Sequence, residues 1–452
     1  MNTPIEATPP AGKVRARGNV QVRGPRDFAF NAFCFFLVSY FVHFTQRVTA
    51  LGVIHFDIIV AAVCTLAILF APRQRKAGVV EYKTTIAEQI NRALIIIVIY
   101  ILLTLPFVQY TGSVLKHGLE PFLKSVCFYF FIVATVDTPK KLRTLLFLYV
   151  GCQVFRVLEP LWMHVFDGYW GSDTSIEGWQ TMDRLSGSPF DIINPNGLGF
   201  LVVTSLPLLH YVCPPTTGFR KILWVFIAGA MSYALILSSS RSSFLALIFL
   251  ALVVIIRSRH RTVLLVAATL ASMLAVSVMT DLQQERYLSI VSHSAKGAGT
   301  AEGRINGLYS DLAVAMKRPV FGYGLGSSAE ANSNFGGTGM IAHNLYLEVA
   351  QELGLVGLAL VLFLLWKFVR SCYAMKAAVA RAAAAGIADP ADEANFAFFK
   401  SLSESLLVQI MVYLFFSVAS YGLSEPYWYC IGGMCVVAAK LTTQLSGKET
   451  RS

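Results

Sequence analysis

Two arginines and one histidine are the side chains of this sequence that are best suited to chemistry. Arg241 lies in LSSSRSSFLAL (237–247), Arg304 in GRINGLYSDLAVAMKRPVFGYGLG (303–326), and His343 in MIAHNLYLEVA (340–350). A guanidinium group is a planar fork that bonds two phosphate oxygens at once. A histidine near arginines stays neutral, because positive charge disfavours its protonation, and it can then accept a proton. This set suits transfer from a diphosphate-linked donor to a hydroxyl, because such a leaving group needs charge stabilisation more than a general acid.

The segments that must position these side chains are membrane helices. The chain has 452 residues, of which 55% are hydrophobic and 14% are charged. Apolar runs of roughly 17 to 25 residues, long enough to cross a bilayer, recur along almost the whole length. We therefore predict an all-α polytopic membrane protein with about twelve spans. The spans are expected near 28–46, 52–71, 91–110, 119–137, 144–166, 197–213, 222–239, 242–256, 262–280, 344–366, 397–421 and 425–442.

The charges in the breaks between spans predict the topology. Lys and Arg cluster after every even span, for example Arg73, Arg75, Lys76 and Lys83 after the second. Such clusters are typical of cytoplasmic loops, so both termini are expected in the cytoplasm. The net charge of +11 is explained by these loops, and no nucleic-acid partner is expected. We expect a basic tail (1–27), nine spans (28–280) with an external loop at 167–196, a large external loop (281–343), three spans (344–442) and a second tail (443–452).

Three stretches on the external side each allow two interpretations. Arg241 lies at the edge of a span that begins beside it, where helix N–H groups and a guanidinium form an anion site; alternatively, it snorkels to lipid phosphates. The Asn-Pro-Asn turn (194–196) either serves the site or only caps the sixth span. The glycine-rich stretch 322–326 either lets the backbone approach a ligand or is a simple turn. In the same loop, the helical spacing of apolar residues over 305–316 predicts an amphipathic helix near the interface.

The segment after His343 carries a polar stripe on an otherwise apolar helix. Its members fall at i, i+4, i+7 and i+8, and they are Asn344, Glu348, Gln351 and Glu352. Carboxylates in a span are costly, so they normally face the protein interior or a wet cavity. Glu348 is therefore expected either to support the site or to be a paired structural residue. Gly354 and Gly357 would let another helix pack closely.

A metal site is not expected. The sequence has no DxD triplet, and the acidic residues of the two long external loops are scattered: Asp183, Asp191, Glu302 and Asp311. Magnesium requires a set of oxygen ligands that such scattered residues do not provide. The eight cysteines form no CxxC pair, which disfavours a zinc site or a redox dithiol.

Four motifs, in this order along residues 184–357, resemble the O-antigen ligase and polymerase superfamily. They are SGSPFDIINPNGLG (186–199), SSRSSFLAL (239–247), the arginine-helix segment at 303–326 that ends in Pro-x-x-Gly-x-Gly, and HNxxLxxxxExGxxG (343–357). The serines after Arg241 depart from the commoner glycine or alanine. The chain length, the compact C-terminus and the large loop before the histidine are most similar to the ligases of this superfamily.

The resemblance implies a function and a fold. Ligases of this kind transfer O-antigen from undecaprenyl diphosphate to a lipid A–core hydroxyl during lipopolysaccharide biosynthesis. The expected protein is a glycosyltransferase with a GT-C-like fold in the bacterial inner membrane, with a periplasmic active site. It is expected to invert the anomeric centre, to need no metal or other cofactor, and to act as a monomer. The alternatives are an O-antigen polymerase, a protein O-oligosaccharyltransferase, or a transporter of an anion or a lipid-linked sugar. The absence of a detectable internal repeat disfavours a transporter.

The resemblance also assigns roles to individual residues. His343 would be the base that takes the proton of the acceptor hydroxyl. Arg241 and Arg304 would bind the diphosphate, and Arg184 would contact a donor or acceptor phosphate. Asn344 and Asn196 would orient these groups.

Overall fold

The computed structural model describes residues 25–71, 85–177, 180–212, 216–292, 299–336, 339–385, 390–420 and 422–449. Most of these residues are helical. In chain order the helices are α1 (Pro25–Val42), α2 (Phe44–Arg47), α3 (Thr49–Val53), α4 (Phe56–Phe70), α5 (Thr85–Thr104), α6 (Thr111–Ser113), α7 (Leu119–Thr135), α8 (Pro139–Asp167), α9 (Pro195–Val212), α10 (Gly218–Ser238), α11 (Arg241–Arg257), α12 (Arg261–Val278), α13 (Asp281–Leu288), α14 (Gly299–Lys317), α15 (Ser328–Phe335), α16 (Leu345–Ala385), α17 (Pro390–Phe416) and α18 (Pro426–Glu449). A π-helical turn, Val114–Gly118, joins α6 to α7.

Among the described residues, seven helical segments are long and apolar enough to cross a membrane. They are Ile86–Thr104, Thr111–Thr135, Pro139–Asp167, Gly218–Ser238, Arg261–Val278, Leu345–Ala384 and Asp392–Phe416. The chain is therefore an all-α, multi-pass membrane protein, as predicted. Each of the twelve predicted spans coincides with a helix, but the number twelve stays a prediction. The predicted basic tail up to residue 24 and the basic break with Arg73, Arg75, Lys76 and Lys83 lie outside the described residues.

The first long loop contains a small β-hairpin that the sequence reading did not anticipate. Strand β1 (Gly171–Glu177) pairs antiparallel with β2 (Gln180–Leu185). Side chains alternate across a strand, so the buried positions in β2 include Met182 and Arg184, whereas Asp183 between them is exposed. The hairpin thus directs Arg184 into the protein.

Helix α16 is interrupted nine residues after its start. Gly354 has φ +70° inside the helix, a conformation that residues with a Cβ rarely adopt. A Cβ at this position would lie 2.2 Å from the Val320 carbonyl oxygen. The backbone nitrogen of Leu355 donates instead to the Pro319 carbonyl at 2.6 Å. Gly354 therefore allows the backbone of a loop to approach α16 closely, whereas the sequence predicts that another helix packs there.

The glycine-rich stretch 322–326 packs against this interruption. The backbone N–H groups of Tyr323 and Gly324 donate to the carbonyls of Gln351 (2.8 Å) and Glu352 (2.9 Å). These bonds satisfy carbonyls that the break in the helix leaves without partners. The glycines therefore allow two backbone segments to pack closely. Of the two interpretations of this stretch, the structure favours the turn.

The carboxylates of the polar stripe face protein and hold neighbouring loops. Glu352 accepts hydrogen bonds from the backbone N–H groups of Gly326 (2.8 Å) and Ser328 (3.3 Å). Glu348 accepts from those of Gly422 (2.9 Å) and Leu423 (3.4 Å). Both side chains are buried, so these bonds offset the cost of placing a carboxyl group inside the bundle.

Candidate functional site

A cavity of about 300 Å³ lies where the loops meet the ends of several helices. His343, Arg304 and Asn196 line it, together with residues of α1, α8, α17 and α18. Protein cavities of this size that combine aromatic walls with a few polar groups are typical ligand sites. Two of the four motifs therefore reach the cavity through Arg304 and His343, and a third reaches it through Asn196.

The serine–arginine motif forms a tight turn between α10 and α11. Ser239 ends α10 in the left-handed conformation (φ 49°, ψ 35°), and its side chain is fully buried. Such a conformation in a residue with a side chain is strained, and strain of this kind often marks functional sites. Ser240 caps α11, because its hydroxyl accepts a hydrogen bond from the backbone N–H of Ser243. Arg241 is thereby the first residue of α11.

Three arginines surround this turn. Arg184 and Arg286 each donate through Nε, to the carbonyls of Ser238 and Ser239 respectively, at 2.9 Å in both cases. Free carbonyls at a helix C-terminus attract such cations. The half-buried Arg241 donates through Nη1 to the hydroxyl of Ser289 at 2.8 Å. The C-terminal end of α10 thus gathers guanidinium groups from β2, α11 and α13.

We call Arg184, Arg241, Arg286 and Arg304 the arginine cluster. Their positive charges repel one another. Burial, together with the charges of the other three, lowers the pKa of Arg184 to about 9. Burial also lowers the pKa of Arg286 and of Arg304. Guanidinium groups that act on one another in this way favour the binding of an anion. A doubly charged phosphate ester would relieve this repulsion.

Arg286 was missed in the sequence reading, although a signal for it exists. Thr280 and Gln283 form a capping box, which predicts a helix that starts at residue 281. On that helix, α13, Gln283, Arg286 and Tyr287 fall at i, i+3 and i+4 and share a buried face. An arginine on the buried face of a short loop helix could have been recognised as a candidate.

His343 immediately precedes α16, and Asn344 fixes this junction. The Asn344 Oδ1 accepts hydrogen bonds from the backbone N–H groups of Tyr346 (2.9 Å) and Leu347 (3.1 Å), so it caps the helix. Its Nδ2 donates to the Val418 carbonyl at 2.9 Å. Asn344 therefore fixes the start of α16, one residue after His343.

The surroundings of His343 keep its ring neutral. Burial, and then the positive charge of Arg304, lower its pKa below the usual value, whereas Asp311 acts in the opposite direction. A neutral imidazole at neutral pH can accept a proton.

The two asparagines of the Asn-Pro-Asn turn have different hydrogen-bond partners. Asn194 caps α9 by accepting the backbone N–H of Gly197 at 2.8 Å, and Pro195 takes the first helical position, which suits proline. Asn196 accepts from Arg184 Nη2 at 3.1 Å and also lines the cavity. Arg184 is thus connected to the cavity through Asn196.

The predicted site residues therefore separate into three groups. His343, Arg304 and Asn196 line the cavity. Arg184 and Arg241 lie behind them, held by Asn196 and Ser289. Asn344 and Glu348 point into the protein and bind the backbone of Val418, Gly422 and Leu423.

A second polar group lines the same cavity and was not predicted. Arg156 forms a two-point ion pair with Asp191, with Nε–Oδ2 at 2.6 Å and Nη2–Oδ1 at 3.0 Å, and donates to the Tyr427 hydroxyl at 2.9 Å. The His43 Nε2 lies 3.1 Å from Asp191 Oδ1. Burial alone would raise the pKa of Asp191, but its bonds to His43 and Arg156 lower it. The sequence could not single out these residues, because they are far apart along the chain.

Within the described residues, no three His, Cys, Asp or Glu side chains are grouped so that they could hold a metal ion.

Comparison with known proteins supports a family assignment. Residues 226–362 match the O-antigen ligase family, and this part of the chain carries Arg241, Arg286, Arg304 and His343. No curated protein matches the chain. The family match, over the part of the chain that holds the histidine and three arginines of the cluster, supports membership of the O-antigen ligase superfamily.

Proposed function

We propose that this protein is an O-antigen ligase. It would transfer O-antigen polysaccharide from undecaprenyl diphosphate to a hydroxyl of lipid A–core, in the bacterial inner membrane and on its periplasmic side. The observation that carries this proposal is the shared cavity, in which a half-buried histidine with a lowered pKa stands beside Arg304 of the four-arginine cluster. A base for a hydroxyl and a strong anion site are the two elements that such a transfer requires.

In the proposed mechanism the arginine cluster binds the donor diphosphate. The neutral His343 takes the proton of the acceptor hydroxyl while the hydroxyl oxygen attacks the anomeric carbon of the donor sugar. The bond from that carbon to the phosphate oxygen breaks, and undecaprenyl diphosphate leaves with the electron pair. A single displacement of this kind inverts the anomeric centre. Arg304 and the arginines behind it stabilise the negative charge that develops on the leaving oxygen.

Helix α14 supports a lipid-linked donor. Ile305, Tyr309, Leu312 and Met316 are all exposed and fall on one helical stripe. The same helix carries Arg304 near its start. We propose that this stripe lies in the outer part of the bilayer, so that the polyprenyl chain stays in lipid while its diphosphate reaches the arginines.

The experiment that tests the proposal is complementation of two bacterial strains, one lacking its ligase and one lacking its O-antigen polymerase. A ligase restores polymer-bearing lipopolysaccharide only in the first strain. Restoration of polymer length only in the second strain would identify a polymerase and overturn the ligase assignment. Glycosylated periplasmic protein without modified lipopolysaccharide would instead identify a protein O-oligosaccharyltransferase.

A further inference from the structure

The cavity contains a second polar region whose charge differs from that of the arginine cluster. We call it the acidic part, and it consists of His43, Arg156, Asp191 and Glu425. Arg304 lines the cavity with His343, whereas Asp191 is paired with Arg156 and lies 3.1 Å from the His43 Nε2. The two parts of the cavity are therefore electrostatically distinct.

Within the acidic part, Asp191 and Glu425 differ in their partners. Asp191 is fully engaged, because Arg156 binds both of its oxygens and His43 lies beside it. Among the described residues, Glu425 hydrogen-bonds only through its backbone N–H, which donates to the Gly422 carbonyl at 3.1 Å. Its side chain is exposed and lines the cavity. A carboxyl group that lines a cavity and accepts no hydrogen bond from the described residues can accept one from a ligand.

The kind of ligand follows from the chemistry of this part. The carboxyl oxygens of Glu425 accept hydrogen bonds, so a ligand with hydroxyl groups can donate to them. A diphosphate would be repelled by Glu425 and attracted to the arginines. The wall here includes the half-buried ring of Tyr40, which provides flat apolar surface beside the polar groups. A neutral molecule with several hydroxyl groups and an apolar face, which is to say a sugar ring, fits this combination best.

We propose that the acidic part of the cavity is the subsite for the acceptor sugar, with Glu425 and His43 hydrogen-bonding its hydroxyl groups. The inference rests on the proposed function. It gives the proposed enzyme a second binding region, for the acceptor, beside the region for the donor. The acceptor would then share a cavity with His343, while the donor diphosphate is held by the arginines. The chain before Glu425 is fixed, because Asn344 binds the Val418 carbonyl and Glu348 of α16 binds the N–H groups of Gly422 and Leu423.

The test compares Glu425→Gln and His43→Gln with the wild type in a purified transfer assay. Loss of a hydrogen bond to a charged group should raise the KM for lipid A–core roughly 10- to 100-fold in Glu425→Gln. The KM for the polyprenyl-linked donor should stay within about twofold, because neither residue belongs to the anion site. Glu120→Gln is the matched control, because the side chain of Glu120 is 62% exposed and pairs with Lys124 on the surface.

A binding measurement separates this inference from the proposed function. Delipidated core oligosaccharide is titrated into the wild type and each variant without donor, and saturation-transfer NMR detects the bound sugar. Weaker binding in Glu425→Gln and His43→Gln, with undiminished binding of undecaprenyl diphosphate, supports the subsite. If the wild type transfers polymer to lipid A–core but Glu425→Gln keeps the acceptor KM and the sugar binding, the subsite inference is wrong and the ligase proposal stands. If the wild type transfers nothing to lipid A–core and binds no core oligosaccharide, the proposed function itself fails.

Discussion

The Glu348 carboxylate accepts a hydrogen bond from the backbone nitrogen of Gly422 at 2.9 Å. Glu348 lies in the first turn of α16, five residues after His343, and Gly422 belongs to the loop that ends with Glu425. The bond therefore ties the helix behind the proposed base to the loop of the proposed acceptor subsite. This carboxylate of a membrane helix therefore connects the part of the cavity near His343 with the part near Glu425.

Replacing Glu348 by alanine should destabilise the protein. The substitution leaves the buried N–H groups of Gly422 and Leu423 without their acceptor, which typically costs about 1–3 kcal/mol for each unsatisfied group. We expect a lower melting temperature in detergent and a smaller decrease for Glu348→Gln, which keeps one acceptor oxygen. Glu120→Ala on the surface serves as the control. An unchanged melting temperature in Glu348→Ala would show that these hydrogen bonds contribute nothing.

Gly354→Ala should be more damaging than its small change in size suggests. The new Cβ would meet the Val320 carbonyl oxygen at 2.2 Å, and the residue would keep a positive φ. We expect a loss of at least about 2 kcal/mol from the backbone conformation and the clash together. Gly151→Ala on α8 is the matched control, since no atom lies within 4 Å of its added Cβ. Thermal unfolding of both variants in the same detergent measures the difference, and equal melting temperatures would refute the argument.

Alanine at His343, Arg241 or Arg304 should abolish transfer without preventing folding. Loss of a general base typically slows a reaction 10²- to 10⁴-fold, and loss of one charge-stabilising group slows it about 10²- to 10³-fold. The rate is measured with purified protein in liposomes, and size-exclusion chromatography checks folding. Arg92→Ala is the control, because that side chain is 75% exposed. Normal ladders of O-antigen on lipopolysaccharide from cells with His343→Ala or Arg241→Ala would contradict the proposed mechanism.

The pH dependence should follow the charges around His343. Transfer needs the neutral ring, so activity falls only when the pH drops below the lowered pKa of this histidine. Arg304→Gln removes a charge that lowers the pKa, so the acid limb of kcat/KM should move to higher pH. Asp311→Asn removes a charge that raises it, so the limb should move to lower pH. Identical acid limbs in the wild type and both variants would exclude His343 as the titrating group.

Transfer should persist in the presence of EDTA. The proposed mechanism stabilises the leaving diphosphate with guanidinium groups, and the described residues offer no cluster of ligands for a metal ion. The assay compares the rates of chelated and untreated enzyme at equal donor concentration. A loss of activity that added magnesium restores would show that a cation bridges the diphosphate, and the arginines would then have a secondary role.

Local patterns in the sequence determined the membrane class, most helix positions and the main candidates. Apolar length reveals a span, and Arg241, Arg304 and His343 could be recognised because each lies in a compact motif at the end of a helix. The length of an apolar run and the composition of a motif depend only on residues that are close along the chain, so they can be read from one sequence.

Only the tertiary structure decided which residues meet. His43, Arg156 and Asp191 come together across long separations along the chain, so no local spacing could predict their meeting. The same holds for Gly354, whose partner is the backbone of a loop, and for Glu348, whose carboxylate braces a loop 74 residues away. Burial and charge in this cavity are properties of the packed bundle, because the dielectric surroundings of a side chain are set by every segment that encloses it.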